Sequence, residues 1–575
     1  MNYQNNRGIM NNKVWVYKNI DNIIVKELMK RYGFSELCSA VLHNRMEIVG
    51  GNPDNIFKRV LHNLHNPFLL NDMDKAVERI EKAVMRNEKI TIFGDYDADG
   101  VTSTSILYMF LCENGAKADF YIPNRFSDGY GMNNDAIKKI ADSGTKLIIT
   151  VDNGIAAYNE VEYAKSLGLD VIVTDHHECP EVLPDCCAVL NPKRKDSTYP
   201  FEELAGVGVT FKLISALNKE GIEKIIKKYI LITAIGTIAD VVPLNDENRA
   251  IVIMGLKMVP CNNNLGVQAL LDFVNIEGEA KVSDFAFGIV PRINAAGRLE
   301  DASKCVELFS SFDYQKCCVI AQHIDSLNTE RQNIEKSITD TVFNIIDEQK
   351  LYKDNVIVVY GEGWNSGVIG IVASKVSEKY YKPCIIITDD SDNMAKGSGR
   401  SVADFDLYES LAHCSSLLTK FGGHFLAAGL SLEKSNIDEF RKMINSYADT
   451  LLNGKTFVHK IKIDYVLKES FLNTDVINSL TVLEPYGVGN PKPIFALLEA
   501  KVTRKQLLSE GKHIKLYLEY NGVSIEAIGF SLGHYDPLIK DGSIIDVAGC
   551  LEINTFRGID NPQILIKDIK RIKQP

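Results

Sequence analysis

The sequence predicts an α/β protein that ends in a small β-barrel, and three observations support this class. Short apolar runs typical of strands alternate with amphipathic helical segments between residues 88 and 190. A second pattern of strand, turn, helix and strand follows a long polar helical stretch. After residue 455 the helical pattern gives way to successive strand-like runs separated by turn residues. We therefore expect a first α/β domain with a mostly parallel sheet, a long helix that joins it to a smaller α/β domain, and a C-terminal barrel of the OB-fold type.

These changes along the chain divide its 575 residues into five predicted parts. An N-terminal helical region (1–85) is expected to pack on the first α/β domain (86–310). A connecting helix (311–350) leads to a smaller α/β domain (351–455), and the barrel takes residues 456–575. Several domains are expected on length alone, because single hydrophobic cores stop growing beyond about 250–300 residues.

The composition is that of a folded globular protein, since 45% of the residues are apolar and 24% are charged. The sequence has no apolar run of membrane-spanning length, and "MNYQNNRGIMNNK" lacks the apolar core of a secretory signal, so we expect a cytoplasmic protein. The apolar pattern begins after Met10, which makes residues 1–9 an expected upstream extension. The net charge of −11 argues against coating nucleic acid through bulk electrostatics but permits a local basic groove or a metal site.

Polar residues follow three predicted strands of the first α/β domain, "KITIFG", "KLIITV" and "LDVIVT". Ligands of parallel sheets bind beyond the carboxyl ends of the strands, so these residues should share one rim. A further carboxylate, Asp240, lies in the apolar helical stretch "LITAIGTIADVVPL", where an unpaired charge would be costly to bury. The polar residues that follow the strands are Asp95, Asp97, Asp99, Asp152, Asp175, His176 and His177.

Carboxylates combined with imidazoles and without thiolates favour Mn²⁺ or Mg²⁺ over structural zinc. Two such ions about 4 Å apart can bridge a nucleophilic water and a scissile phosphate. A calcium loop of the EF-hand type is one alternative, but its twelfth position is Ile106 instead of Glu and a strand precedes it. A functionless acidic turn is another alternative. The second dense cluster, "TDHHE", argues against that interpretation.

Four motifs resemble, in their order, those of the DHH superfamily of phosphoesterases, named for its Asp-His-His: "GDYDADG", "VDNGI", "TDHHE" and "GTIADVVPL". The later "GWNSGVIGIVASKV", "KGSGRS" and "FGGHFLAAGLSL" resemble the associated DHHA1 domain. "LHNPFLLNDMDKAVERI" and "PRINAAGRL", together with the barrel, narrow the resemblance to bacterial single-strand-specific 5′→3′ DNA exonucleases. The resemblance covers nearly the whole chain beyond residue 10.

The resemblance implies an active site with two Mn²⁺ or Mg²⁺ ions. Asp95 stands where the manganese pyrophosphatases of the superfamily have a His. Asp152 matches the bridging carboxylate and, with His177, is implied to be catalytic; His177 binds the phosphate oxygen or assists proton transfer. Asp175 is expected to orient a histidine. The implied metal ligands are Asp95, Asp97, Asp99, Asp152, His176 and Asp240.

The resemblance also implies residues that bind the DNA strand. Ser398 and Arg400 in "KGSGRS" resemble the binder of a 5′-phosphate, a task that suits the bidentate, permanently charged guanidinium. Other candidates would grip the backbone, stack on a base or meet a phosphate beside two glycines. A purely local structural role is the alternative for each of them. These candidates are Arg292, Arg298, Tyr130 and His424.

Together these features predict a single-strand-specific 5′→3′ exonuclease that releases 5′-mononucleotides by two-metal hydrolysis, in DNA repair and recombination. One alternative is a phosphodiesterase of the same superfamily that acts on short oligonucleotides or cyclic dinucleotides and generally lacks the barrel. The other is a non-catalytic DNA-binding relative. The implied partners are single-stranded DNA, single-strand-binding protein and a RecQ-type helicase, and we expect a monomer without membrane contact.

Overall fold

The structure is a computed structural model and describes residues 13–46, 53, 64–125, 128–129, 131–276, 279–556 and 558–574. Within these residues the β-structure consists of two five-stranded sheets, one six-stranded sheet and a separate strand pair. None of the described helices is both long and apolar enough to span a bilayer. The predicted fold class, two α/β domains with a connecting helix and a C-terminal barrel, is confirmed.

The N-terminal elements pack on the barrel, which differs from the prediction that this region packs on the first α/β domain. Strand β1 (Val14–Tyr17) pairs in parallel with a strand at Lys460–Ile463. Helices α1 (Asn22–Tyr32) and α2 (Glu36–Asn44) bury their apolar faces in the core of the barrel. An amphipathic pattern indicates that a helix is buried but not which domain covers it. Helix α3 (Met73–Met85) does pack on the first α/β domain.

The first α/β domain contains an entirely parallel sheet in the order β3-β2-β4-β5-β6. Its strands lie in the region where the sequence predicts alternating strands and helices, and their apolar runs are buried because helices cover both faces. The strands are β2 (Lys89–Phe93), β3 (Lys117–Tyr121), β4 (Thr145–Val151), β5 (Asp170–Thr174) and β6 (Ala188–Leu190). The crossover helices are α4 (Ala98–Glu113), α5 (Asn134–Asp142) and α6 (Tyr158–Ser166).

A helical layer follows the sheet and covers α4, which is buried around most of its circumference. Helices α7 and α8 pack directly on α4. The layer consists of α7 (Gly206–Leu217), α8 (Ile222–Ala239), α9 (Asp246–Met258), α10 (Leu265–Phe273), α11 (Val290–Leu299) and α12 (Ser303–Ser310). A short turn (Val282–Asp284) and a π-helical segment (Phe285–Ile289) precede α11.

The long predicted connecting helix is present as α13 (Tyr314–Glu348) and leads to a mixed sheet in the order β10-β11-β9-β8-β7. Only β7 and β8 are parallel. The strands are β7 (Ile357–Tyr360), β8 (Cys384–Asp389), β9 (Met394–Arg400), β10 (Lys420–Gly423) and β11 (Ala427–Glu433). The helices of this domain are α14 (Ile369–Tyr380), α15 (Leu407–His413) and α16 (Ile437–Leu452).

The C-terminal sheet runs in the order β13-β14-β15-β16-β18-β17 and closes into a barrel because β14 also pairs with β17. The strand that pairs with β1 is β12 (Lys460–Ile463). The remaining elements are β13 (Tyr465–Val466), α17 (Thr474–Ser479), β14 (Phe495–Leu508), β15 (His513–Tyr520), β16 (Val523–Gly529), β17 (Ile544–Phe556) and β18 (Ile559–Lys573).

Candidate metal centre

The carboxylates and imidazoles that follow β2, β4 and β5 meet at one rim, as the sequence predicts. Asp97 is the N-cap of α4, and Asp240 joins the rim as the C-cap of α8. Ligand-type atoms lie within 4.8 Å of one another in three overlapping groups. These groups are Asp95, Asp97 and Asp152; Asp99, His176 and Asp240; and Asp152, His176 and His177. All the predicted metal-binding residues therefore belong to one cluster.

The local backbone brings these carboxylates unusually close to neighbouring main chain. Asp152 has a left-handed conformation (φ 62°), and a Cβ at Gly206 would lie 2.5 Å from its Oδ1 atom. Only glycine therefore fits at position 206. Asp99 accepts hydrogen bonds from Gly206 N (2.7 Å) and Val207 N (2.8 Å) at the start of α7. The positive end of the α7 dipole thus supports one carboxylate of the rim.

Three atoms of the rim are buried without a hydrogen-bond partner in the described part of the chain: Asp152 Oδ1, His176 Nε2 and Asp240 Oδ2. His176 Nε2 lies 3.2 Å from Asp152 Oδ1, and His176 Nδ1 lies 3.6 Å from Asp240 Oδ2. Buried polar atoms are normally paired, and leaving them unpaired is costly. Carboxylate oxygens with an imidazole nitrogen form the donor set that Mn²⁺ or Mg²⁺ accepts. These residues therefore fit divalent ions.

Burial and mutual repulsion shift the pKa values of the rim carboxyls upward. Burial, followed by the charge of Asp97, raises the pKa of Asp99 to about 7 and that of Asp95 well above its usual range. Burial and the charges of Asp99 and Asp97 likewise raise the pKa of both Asp152 and Asp240. Cations between these groups would keep them ionised near neutral pH.

The two histidines differ in their protonation. Burial and the neighbouring His177 lower the pKa of His176 to about 3, so His176 is neutral, which is the form in which an imidazole can coordinate a metal. His177 is also buried, which lowers its pKa, but the hydrogen bond from Nδ1 to Asp175 Oδ1 (2.7 Å) more than offsets this and raises its pKa. Asp175 is fixed in turn by Ile155 N, which donates to Oδ2 (2.9 Å). Proton exchange between His177 and a substrate would therefore occur at Nε2.

A group of arginines lies beside the rim, between the two α/β domains. Arg298 Nη1 donates to Gly367 O (2.7 Å), which connects α11 to the second α/β domain. Burial, followed by the charges of Arg125, Arg331 and Arg400, lowers the pKa of Arg298 to about 10. Among the residues that the structure describes, no carboxylate forms an ion pair with Arg298 or Arg400. Clustered cations without carboxylate partners are typical of an anion-binding site.

Ser398 and Arg400 are neighbours on β9, as "KGSGRS" predicts. Arg400 Nη1 donates to Ser398 Oγ (3.3 Å) and to Gly399 O (2.7 Å). Gly370, in the first turn of α14, packs against them, since a Cβ there would lie 2.9 Å from Ser398 Oγ. The amino end of this helix therefore adds its positive dipole to the same place.

The other predicted strand-binding residues have different surroundings. Arg292 forms an ion pair with Asp325 (Nη2–Oδ1, 2.7 Å) and also donates to Gly288 O (2.5 Å), so its guanidinium is engaged locally. His424 is exposed at the turn between β10 and β11. Tyr130 lies outside the described residues.

Three polar residues of this region are not among those predicted from the sequence. Arg125 follows β3 and lies over the ring of Tyr96 (5.0 Å from Cζ to the ring centroid), so the rule of strand ends could have identified it. Asn294 accepts a hydrogen bond from Ala98 N (2.9 Å) and so supports the start of α4. Arg331 lies within α13, where its local sequence carries no signal of a binding role.

The fold and the rim define a class, the DHH phosphoesterases with an associated DHHA1 domain. Residues 89–237 match the model of the DHH family N-terminal domain, and residues 353–450 match the DHHA1 domain. Residues 463–568 match the RecJ OB domain.

The comparison with whole proteins narrows the class. The chain is 39% identical over 561 residues to the single-stranded-DNA-specific exonuclease RecJ of Bacillus subtilis, covering 96% of this chain and 70% of the relative. The crystal structure of RecJ from Thermus thermophilus in complex with Mn²⁺ superposes with a TM-score of 0.84 at 27% identity, covering 98% of this chain and 81% of that one. The Mg²⁺ complex of the same relative superposes with a TM-score of 0.77 at 26% identity, with coverage of 98% and 80%. The chain belongs to the RecJ family of single-stranded-DNA-specific exonucleases.

Proposed function

We propose that this chain hydrolyses single-stranded DNA from its 5′ end and releases 5′-mononucleotides, using two Mn²⁺ or Mg²⁺ ions, in DNA repair and recombination. The proposal rests on three buried ligand atoms, one each from Asp152, His176 and Asp240. None of the three has a hydrogen-bond partner among the described residues. Family membership supports the substrate class, and the Mn²⁺ and Mg²⁺ complexes of a relative support the choice of metal.

Six residues are proposed to hold the ions. Asp152 and His176 each belong to two of the three ligand groups, and only the carboxylate offers two oxygen atoms, so Asp152 is proposed as the residue that would bridge the ions. Bound ions would supply the acidity that activates a water nucleophile and the charge that neutralises the scissile phosphate. The residues themselves fix the geometry, because α7 orients Asp99 and Gly206 allows Asp152 to approach the main chain. The proposed ligands are Asp95, Asp97, Asp99, Asp152, His176 and Asp240.

His177 is proposed to contact the scissile phosphate or to transfer a proton through Nε2. Nδ1 of His177 donates a hydrogen bond to Asp175, which sets the orientation of the ring and keeps a proton on Nδ1. The raised pKa of His177 keeps a larger protonated fraction near neutral pH than an unperturbed imidazole would have. A protonated imidazole can donate a hydrogen bond to a phosphate oxygen and stabilise its charge.

The arginine group is proposed to bind the terminal 5′-phosphate and thereby to set the polarity of digestion. Ser398, Arg400 and the amino end of α14 form one side, and Arg298 forms the other. Asp97 of the metal rim is close enough to influence the pKa of Arg298, so the phosphate site borders the rim. A strand whose end is held there would present a bond near its 5′ end to the metal centre. His424 and Tyr130 remain proposed strand contacts.

The barrel is proposed to bind the strand beyond the active site, as OB-folds do through charged and aromatic surfaces. Single-strand-binding protein, a RecQ-type helicase, a monomeric state and a cytoplasmic location are proposed from the family resemblance alone.

A time course on single strands labelled at either end tests the proposal. With Mn²⁺ present, a 5′-labelled strand should release labelled mononucleotide at once, whereas a 3′-labelled strand should shorten gradually. A chelator should stop both reactions. Turnover restricted to a dinucleotide or a cyclic dinucleotide would favour the short-substrate phosphodiesterase, and binding of the strand without cleavage would favour the non-catalytic relative.

A further inference from the structure

We infer that a loop of the barrel domain, residues 483–490, positions the metal ligand Asp240. We refer to it as the barrel loop. It contacts residues 243–249, which follow Asp240 directly along the chain. The inference rests on the proposed metal-binding role of Asp240. Under this inference the barrel domain supports the metal centre in addition to its proposed role in binding the DNA strand.

Arg249 is the main attachment between the two parts. Its side chain is buried, with 5% of the residue exposed, and it donates to three main-chain oxygens of the barrel loop. The distances are 2.6 Å to Glu484 O, 3.1 Å to Pro485 O and 3.3 Å to Leu483 O. Over the described residues no carboxylate forms an ion pair with Arg249, so the carbonyl oxygens are its acceptors. A buried guanidinium without these acceptors would be strongly unfavourable, which fixes the loop against α9.

Leu244 forms a second attachment, closer to Asp240. Its N–H donates to Val488 O (2.7 Å). A Cβ at Gly487 would lie 2.6 Å from Leu244 Cδ1, and a Cβ at Gly489 would lie 3.2 Å from Pro243 Cβ. The two glycines therefore let the barrel loop press directly on the chain that leaves the metal centre.

The backbone between Asp240 and this contact is held in an unfavourable conformation. Val241 has φ 61°, in the left-handed region, which is rare for a β-branched residue. Its side chain is exposed, so packing around it does not compensate for the strain. Asp240 N donates to Gly236 O (2.9 Å), which ties Asp240 to α8 on the other side. A strained turn that is anchored at both ends persists only because its surroundings hold it.

The barrel loop is itself rigid enough to act as an anchor. Asn490 is buried and donates to Leu483 O (2.8 Å) and Pro485 O (3.0 Å), closing the loop on itself. Gly487 N donates to Asn490 O (2.9 Å). From the opposite side, Arg45 Nη2 donates to Pro491 O (2.8 Å). Because the barrel loop is rigid and is fixed to the chain that follows Asp240, a displacement of the barrel would also displace Asp240.

Mn²⁺ binding to the full-length, metal-stripped chain tests the inference without any use of activity. The variants are Arg249→Met, which removes the three main-chain contacts, and Gly487→Ala, which pushes on Leu244. Each should weaken the binding of Mn²⁺ roughly tenfold, the usual size of effects on residues that support metal ligands. Electron paramagnetic resonance of free Mn²⁺ gives the affinity. Arg79→Met is the matched control. Arg79 pairs with both Glu88 and Asp170, which lie at the amino ends of β2 and β5 and therefore at the end of the sheet opposite the metal rim.

Val241→Gly keeps the test decisive if the other variants fold poorly. It removes an exposed side chain and the left-handed strain, so its unfolding temperature should be equal to or above that of the wild type. The freer backbone should still weaken Mn²⁺ binding by a few fold. Unchanged Mn²⁺ affinity in all folded variants, or an equal loss in Arg79→Met, would overturn the inference while the proposed function stands. A wild-type chain that binds no Mn²⁺ would instead refute the proposed function.

Discussion

The metal rim and the arginine group lie side by side but carry uncompensated charge of opposite sign. At the rim, carboxyls are buried together and burial with mutual repulsion raises their pKa values. In the arginine group, burial and mutual repulsion lower the pKa of Arg298; a carbonyl oxygen accepts from Arg298, and a carbonyl oxygen and the Ser398 hydroxyl accept from Arg400. Arg331 forms an ion pair with Glu335, but within the described part of the chain neither Arg298 nor Arg400 has a carboxylate partner. The metal rim therefore suits cations, and the arginine group suits an anion. A phosphodiester bound together with metal ions would supply both.

The two regions also differ in their architecture. The rim is built from the ends of three parallel strands and the ends of two helices, so its residues come from distant parts of the chain. The proposed phosphate site depends on an antiparallel strand, β9, and the start of α14. Loss of one rim residue should therefore damage the chemistry itself, whereas loss of one arginine should damage binding.

The largest expected effect is that of Asp152→Ala. This change removes the proposed bridging carboxylate, and metal ions supply several kcal/mol of transition-state stabilisation, so cleavage should fall at least about a thousandfold. The measurement is the initial rate on a labelled single strand with Mn²⁺. Asp142→Ala, at an exposed position on α5, is the control and should retain wild-type activity. Retained cleavage in the Asp152 variant would contradict the assignment of the chemistry to the metal rim and of substrate binding to the arginine group.

Arg400→Ala should mainly affect binding. Charge-assisted hydrogen bonds contribute about 1.5–3 kcal/mol, so KM for 5′-phosphorylated strands should rise roughly ten- to a hundredfold. Strands with a 5′-hydroxyl should be affected far less. Arg441, in the same domain, pairs with Asp438, and Arg441→Ala is therefore the matched control. An equal loss on both kinds of strand would contradict a terminal-phosphate site.

The raised pKa values of the rim predict a stability that depends on pH and on metal. Asp99 has a pKa of about 7 when folded, against an ordinary value of 3.8. Between these values the folded state binds more protons than the unfolded chain, so metal-free protein should lose stability as the pH rises through this window. Mn²⁺ replaces the protons, and its stabilising effect should be larger at about pH 8 than at about pH 6.

Thermal unfolding with Mn²⁺ or with a chelator measures this dependence. A difference of a few degrees is expected, because each kcal/mol shifts the midpoint by about 2–4 °C in a domain of 150–250 residues. The Asp99→Asn variant should lose part of the difference, because the raised pKa values of Asp95, Asp152 and Asp240 also contribute to it. Equal stabilisation by Mn²⁺ at both pH values would show that the rim carboxyls are not perturbed.

The smallest effect is expected for Arg292→Ala. Its guanidinium already binds Asp325 and Gly288 O, whereas Arg298 has no carboxylate ion-pair partner in the described part of the chain. The change in kcat/KM should be less than about twofold, as for other locally paired surface ions. Arg298→Ala should cost several times more. A larger loss of kcat/KM in the Arg292 variant would indicate that Arg292 itself contacts the DNA strand.

The sequence was sufficient for the rim because a parallel sheet delivers all its strand ends to one edge. Asp95, Asp152 and His176 follow three buried strands, so their meeting is a consequence of topology. Asp240 was different, since it lies at a helix end and only the resemblance linked it to the others. Its proposed anchorage by the barrel loop depends on contacts between residues more than 200 positions apart, which no local pattern carries.

The packing of α1 and α2 shows the same limit. Their apolar faces predict burial, but the barrel and the first α/β domain both offer apolar surface, and only the folded structure distinguishes them. The arginine group shows it again, because Arg125, Arg298 and Arg331 come from three separate elements.

Equilibrium binding of Mn²⁺ to the metal-stripped wild-type chain is the most direct test of the central claim. We predict saturation at two ions per chain, with spectra of magnetically coupled Mn²⁺, and disruption of the coupled pair in Asp152→Ala. Saturation without any coupled pair, or identical binding by the Asp152 variant, would contradict the account.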